Sequence, residues 1–375
     1  MSNNHVIAGL VSHIDLPPLM TAAHRLSFES TPINVTFDNG ETTSLDPTEP
    51  LSAGYAQILE DLRDAQIPGY VEINPETRSI SRLLIPLQVK VVALVNIGAD
   101  VAVGLEISQA HRVLKRSNSQ FDRLRKILEE AKNTGATVLV TDNEDHEIVD
   151  VRPWEKVTTA QEMTALDLAA EALSTESIKF EELADSDTAS ATESAASGIQ
   201  AVTPQRLNEL FNWLASGSCN PITVPLPCIP FLYPDDGCWG RAHEMVRRIV
   251  SVGNVPGKVW NYGNLKAKTK NNPNCQVMWG WHVAPILAVT GSPYYWVIDP
   301  SMFAKPVTVS QWKLAQSDPA SQINYTVWQV FYRWKAGQVS YDPNYTETAQ
   351  VLAQHRAKLK VRSLSPSGPP PYAKC

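Results

Sequence analysis

Cysteine is scarce: five residues in a chain of 375, too few for a fold built on disulfides. None stands in a CxxC pair or at ligand spacing from a histidine, so zinc is disfavoured and no metal or other cofactor is expected. No apolar run approaches the roughly 20 residues needed to span a bilayer. Met1 to Met20 lack a basic stretch followed by an apolar core, so they do not read as a secretory signal peptide. The formal net charge is −7 and no lysine or arginine stripe with interleaved aromatics occurs; neither nucleic acid nor membrane is an expected partner. No internal repeat is evident.

What is present divides the chain into five parts. Residues 1–50 carry few strong signals and read as an N-terminal extension. Within 51–173, Ser52 opens a helix to Gln66 with Tyr55, Ile58, Leu59 and Leu62 on one face, ended by Pro68-Gly69. Ile80 to Val95 is β-prone and broken by Pro86; Val101 to Ile107 is a further strand. Ser119 caps a helix to Lys132 with Gly135 beyond it. Asp142-Asn143-Glu144-Asp145 turns a hairpin, and Thr159-Ala160-Gln161-Glu162 opens another helix as a capping box. In 174–202 Ser, Thr, Ala, Asp and Glu dominate; such a segment buries too little apolar surface to offset its ordering entropy, and an exposed, cleavable acidic linker is expected. A second domain, 203–362, starts with Thr203-Pro204 as N-cap and first helical residue. It continues through Leu207, Leu210, Phe211 and Leu214 to strands near Val259 to Tyr262, Gln276 to Val289, Tyr294 to Ile298 and Tyr325 to Trp334. Residues 363–375, with Pro369-Pro370-Pro371, read as a disordered tail.

The most informative stretch is Tyr233 to Met245. A loop of Pro, Asp and Gly ends at Cys238, and the apolar-periodic run Ala242, Met245, Ile249 follows at once. This puts a thiol at the first turn of a helix, where free N–H groups and partial positive charge favour the thiolate and a pKa well below the free value of about 8.5. His282 lies in the apolar run Trp279 to Val289. Asp299 ends the strand Tyr294 to Ile298, which Gly291-Ser292-Pro293 turns back against the first, bringing the two side chains to one face. Cysteine on a helix start, then histidine and aspartate on strands, is the order of a papain-like nucleophilic triad. His243 lies about 140° around the helix from Cys238 and takes a structural role. Cys219 and Cys228 flank a Pro-rich loop that a disulfide would close in an exported protein; in a reducing compartment they are two free thiols. Cys275 has no obvious partner.

These residues resemble the bacterial protein-glutaminase family. The resemblance runs through Leu207 to Phe211, the Gly-Cys…Arg-Ala-His core of Tyr233 to Met245, Tyr262 to Ala267, Trp279 to Ala284 and Ile298 to Ser301, all in order. It implies an α+β fold: a papain/transglutaminase-like C-terminal catalytic domain, with a smaller α+β N-terminal domain similar to the pro-segment that covers the cleft in secreted members. It also implies a cysteine hydrolase that deamidates glutamine side chains in proteins or peptides to glutamate, held inactive by its own N-terminal domain until the linker is cut.

In that chemistry Cys238 is the nucleophile, His282 moves the proton and Asp299 orients the ring. The Cys238 backbone N–H holds the oxyanion, with a second donor unassigned. Trp239, Tyr262, Trp279 and Trp281 are the expected substrate-binding aromatics. Gln88, in the extended Leu84 to Val89, is the candidate autoinhibitory glutamine, entering the cleft as a tethered pseudo-substrate. A transglutaminase-like acyl transferase, a cysteine protease and an inactive binding module are the rival readings. The expected location is secreted or delivered, as an effector or toxin, without a signal peptide in this sequence; the cytoplasm is the alternative.

Overall fold

The computed structural model describes residues 5–16, 32–154, 198–220, 228–366 and 368–372. The mixed α+β architecture comprises two β-rich halves joined by the last helix. The capping-box helix after Thr159 and all but the end of the acidic linker lie outside the described residues.

The C-terminal half is organised by one long antiparallel hairpin, β13 (Gly257–Thr269) and β14 (Asn272–Val289). Strands β15 (Tyr295–Val297) and β16 (Val307–Thr308) extend the sheet on one side and β17 (Gln322–Val327) on the other; β12 (Ala201–Val202) pairs parallel with the end of β14. The period-two side-chain alternation of a strand explains why β14 is apolar throughout its second half. Ile286 and Ala288 point into a core with Val259, Val297 and Trp312 of the short helix α5 (Val309–Leu314), while Leu287 and Val289 point into another with α3 (Pro204–Ser216) and α4 (Cys238–Ser251). The start of α3 follows its sequence signals: the Thr203 side chain accepts from Arg206 N–H at 3.1 Å, with Pro204 at the first helical position.

The N-terminal half has two layers of its own. A five-stranded sheet runs in the order β11 (Ile148–Pro153), β10 (Thr137–Asp142), β7 (Leu87–Ile97), β8 (Asp100–Leu105), β9 (Arg112–Leu114). Phe121, Leu124, Leu128 and Ala131 of α2 (Phe121–Thr134) pack on it, and Gly135 closes that helix in the left-handed conformation, φ 73°. Gln120, not Ser119, is its N-cap, because Asn118 Oδ1 takes the Gln120 N–H at 2.8 Å. Pro86 splits the β-prone run into β6 (Ile80–Leu84) and β7, since a proline cannot donate to a ladder.

Three sequence expectations about boundaries are corrected. Residues 1–50 are not a mere extension. β1 (His5–Gly9) pairs with β5 (Gly69–Ile73), and β2 (Val11–Ile14), β3 (Ile33–Phe37) and β4 (Thr42–Leu45) form a second sheet around α1 (Ser52–Asp64). These strands are only four or five residues long, so their alternation is faint in sequence. The end of the linker belongs to the C-terminal half: Ile199 and Val202 are buried there. The described part of the tail is anchored, not loose. The last helix, α6 (Thr346–Leu364), buries Ala357 and Val361 against α1, and Tyr372 is fully buried under the Arg362 guanidinium, 3.8 Å from its ring centre, donating to the Leu232 carbonyl at 3.0 Å.

Candidate active site

Cys238 is the first residue of α4. Gly237 precedes it in the left-handed region, φ 80°, where a Cβ would also strike the His355 ring at 2.7 Å; a glycine is required on both counts. Arg241, one turn on, donates from Nη1 to the carbonyls of Tyr233 (2.9 Å) and Asp236 (2.5 Å) and so holds the loop that delivers the cysteine. The helix lies against β14, where the Val283 N–H reaches the thiol. His282 is the preceding residue of the same strand.

His282 Nε2 is hydrogen-bonded to Asp299 Oδ2 at 2.8 Å, both residues being buried. Asp299 sits two residues beyond β15, in a turn closed by the Met302 N–H on its carbonyl (3.1 Å). Trp312 Nε1 donates to the same Oδ2 at 3.0 Å, and Ser301 N–H to Oδ1 at 3.2 Å. Burial pushes the Asp299 carboxyl up, but His282, Trp312 and Arg241 outweigh it and hold the group ionised below its ordinary pKa. The imidazole is stacked between Trp279 (centroids 4.4 Å, planes 18° apart) and Trp312 (5.3 Å, 22°). With Nε2 bound to the carboxylate, Nδ1 is the ring's remaining nitrogen. It is buried and has no hydrogen-bond partner, which leaves a lone pair available on the side of the ring away from Asp299.

The thiol does not titrate as its helix position suggests. Burial pushes the Cys238 pKa well up; Arg241 and the Val283 N–H pull it down without prevailing. The reason is that the site is covered. The segment Ser108 to Arg112, between β8 and β9, lies along β14 as an added strand: Gly280 N–H donates to Gln109 O (2.8 Å), His111 N–H to Met278 O (3.3 Å), and Ala110 bridges Trp279. From it the Gln109 side chain, 1% exposed, enters the site. Its Oε1 accepts the backbone N–H of Cys238 at 3.2 Å and its Nε2 faces the Pro234 carbonyl at 3.5 Å. Those two partners fix which end of the amide is oxygen. Just before it Ile107 holds φ 55°, a left-handed conformation costing a β-branched residue about 1–3 kcal/mol, which the surrounding contacts must supply.

Gln88, the glutamine expected here, is elsewhere. It lies in β7 opposite Leu139, is exposed, and lines a cavity of about 340 Å³ with Ser108, Trp239, Phe331 and Gln354. That cavity does not contain Cys238. The aromatic residues expected to bind substrate are all buried. Trp279 backs the imidazole and donates to the Asp235 carbonyl (3.0 Å); Trp239, Trp281 and Tyr262 form a cluster with Trp260 and Tyr332, with Tyr262 donating to the Arg333 carbonyl (2.7 Å). His243 is structural, as expected: Nδ1 meets Lys258 Nζ at 2.7 Å, and burial with that neighbour lowers its pKa to about 3.

The covering segment is tied to the cysteine loop by a buried ion cluster that sequence reading missed. Arg112, fully buried, donates to Asp236 Oδ2 (2.9 Å), two residues before Cys238, to Asp142 Oδ2 (3.0 Å) and to Ser108 Oγ (2.6 Å). Asp236 also accepts from Ser108 Oγ (2.6 Å) and Gln109 N–H (3.2 Å). Burial raises its carboxyl, but Arg112 and these hydrogen bonds bring it down to about 2. Lys358 and His146 complete the Asp142 shell at 2.9 and 3.0 Å, and Arg362 and His146 contact Asp235. Four chain segments far apart in sequence meet here, 108–112, 142–146, 235–236 and 358–362, so no local pattern announces the cluster.

Cys219 and Cys228 form a disulfide. Cys275 is disulfide-bonded too, contrary to the expectation that it lacks a partner; among the described residues Cys238 is the free thiol. No group of three or more His, Cys, Asp or Glu is placed to hold a metal, and no helix is long and apolar enough to cross a membrane, among the described residues.

Residues 207–316 match the model of a family described as Glutaminase. Among solved structures, one of a pro-protein-glutaminase is 25% identical, with a TM-score of 0.50, over 73% of this chain and 93% of that one. A protein-glutaminase structure is 33% identical over 45% of this chain and 97% of that one (TM-score 0.38). The protein-glutaminase from Chryseobacterium proteolyticum is 33% identical over 45% and 95% (TM-score 0.39). No relative is found among curated proteins.

Proposed function

Since the chain belongs to the protein-glutaminase family, we propose that it hydrolyses glutamine side-chain amides of proteins or peptides to glutamate and ammonia at Cys238, His282 and Asp299, and that its N-terminal half keeps this site shut until the chain is cut within 174–198. Cys238 Sγ attacks the amide carbon while His282 Nδ1 takes the thiol proton. Asp299, itself positioned by Trp312, holds the ring through Nε2 and stabilises the imidazolium. The Cys238 N–H binds the oxyanion, His282 protonates the departing ammonia, and water then cleaves the thioester.

The observation that carries the reading is the glutamine amide already seated on the Cys238 N–H, beside the His282–Asp299 pair. A side-chain amide in that place, with its main chain laid along β14, supports deamidation over peptide-bond cleavage. Cys238 at the start of α4, packed on the strand that carries His282, supports a core of the papain/transglutaminase kind. Limited proteolysis of the intact chain, followed by incubation with a folded protein, tests it. Ammonia release with unchanged chain length is expected; cross-linked products or new N-termini would replace this reading with acyl transfer to lysine or proteolysis.

A further inference from the structure

We infer that Gln109 is the enzyme's own first substrate, deamidated to glutamate by Cys238 of the same chain while the cover is still in place. The inference rests on the deamidase reading above and extends it to a modification site within the N-terminal half.

The residue that carries the nucleophile touches this side chain directly, and His282 stands next to Val283, whose N–H reaches the thiol. The amide oxygen occupies the position where the Cys238 N–H would stabilise an oxyanion, 3.2 Å away. The nitrogen is directed to the Pro234 carbonyl, so it is oriented as a leaving group. The Gln109 carbonyl and the His111 N–H are fixed to β14 by hydrogen bonds of 2.8 and 3.3 Å, and Gln109 N–H is fixed to Asp236. A tethered amide held in this manner has the high effective concentration of an intramolecular reactant. A cover evolved only to obstruct has no need of the one side chain the enzyme attacks.

The chemistry balances with water as the sole added reactant. Sγ bonds to Cδ of Gln109 as the thiol proton passes to His282 Nδ1. The Cδ–Nε2 bond breaks and that proton leaves with the nitrogen as ammonia. A water that takes the place the ammonia leaves then attacks the thioester, restoring the thiol and leaving a glutamate at position 109. The product fits worse than the reactant. It has lost the N–H₂ that faced Pro234 O, and its carboxylate is buried beside the ionised Asp236, where like charges repel. Conversion therefore loosens the cover.

The test is peptide mass spectrometry of the intact, uncut chain over a time course, beside Cys238→Ala and a mixture of the two. The expected result is a gain of about 1 Da at residue 109 in the wild-type chain, preceded by a species about 17 Da lighter in which residues 109 and 238 are joined. Cys238→Ala should retain Gln109, alone and in the mixture. Three results overturn the inference: an unconverted wild-type Gln109, conversion in Cys238→Ala alone, or conversion of the variant in the mixture, which makes the reaction intermolecular. The cut chain, assayed on a protein substrate in parallel, separates the two ideas. If it releases ammonia while Gln109 stays intact, self-deamidation fails and the deamidase reading stands; if it releases none, the deamidase reading has failed.

Discussion

Replacing Arg112 by methionine should unlock the enzyme without cutting it. The guanidinium is fully buried and joins the covering segment to Asp236 of the cysteine loop at 2.9 Å and to Asp142 at 3.0 Å. Methionine fills much of the volume but leaves both carboxylates short of a partner. Removing one member of a buried ion pair costs about 3–5 kcal/mol. The lower figure applies, because Asp142 retains Lys358 and His146 and Asp236 retains Ser108 and the N–H groups of Gln109 and Gly237. About 3 kcal/mol, at roughly 1.4 kcal/mol per decade, raises the open population about 100-fold. Ammonia release by the uncut variant should rise by one to two orders of magnitude, the ceiling being the activity of the cut chain. Should uncut Arg112→Met stay within threefold of the uncut wild type, while cutting activates both equally, the cluster is not the latch and the reasoning is wrong.

Other expectations follow from the same contacts. Asp299→Asn should leave the stacked imidazole in place but reduce kcat by roughly 10³–10⁴, since the amide favours the wrong tautomer; Trp312→Phe keeps the stacking, removes only the 3.0 Å hydrogen bond to Asp299, and should lower kcat about tenfold with little change in KM. Gln109→Glu should start at least tenfold more active than a freshly prepared uncut chain whose Gln109 is still unconverted, because it buries a carboxylate against Asp236; the initial rate of ammonia release reads it. The latch should also depend on pH. His146 is pushed down by burial but raised above 6.5 overall by Asp142 and Asp235, while neighbouring His111, its own pKa lowered by burial, adds no charge as pH climbs; the His146 contribution is therefore complete below 6.5 and fades as pH climbs through the raised value. Asp236 acts in the opposite sense, its contribution being full above about 4 and lost as pH falls toward about 2. The ratio of uncut to cut activity should therefore climb from pH 6 to pH 9; a flat ratio would exclude His146. Cys219→Ser, opening a loop of sequence separation 9, should cost about 2–3 kcal/mol in urea unfolding of the C-terminal half.

The sequence determined what local physics controls. A capping threonine followed by proline starts α3 at Pro204, and a run of loop formers before an apolar-periodic segment starts α4 at Cys238. The apolar run after Trp279 and the turn at Gly291 lay down the hairpin that brings His282 to Asp299. Each signal lies within about one turn or one hairpin of the residue it places. Tertiary structure decided the rest. Gln88 and Gln109 both belong to the covering half, and no propensity separates them. What separates them is that Gln109 lies where the chain crosses β14, at a sequence distance of 129 residues from Cys238. Trp312 as a wall of the imidazole, the ion pair of Arg112 with Asp236 and the burial of Tyr372 are likewise contacts between distant segments. The thiol shows the division in one atom: its helix terminus, legible in sequence, favours ionisation, whereas the water excluded by another part of the chain opposes it, and in the covered form desolvation is the larger effect.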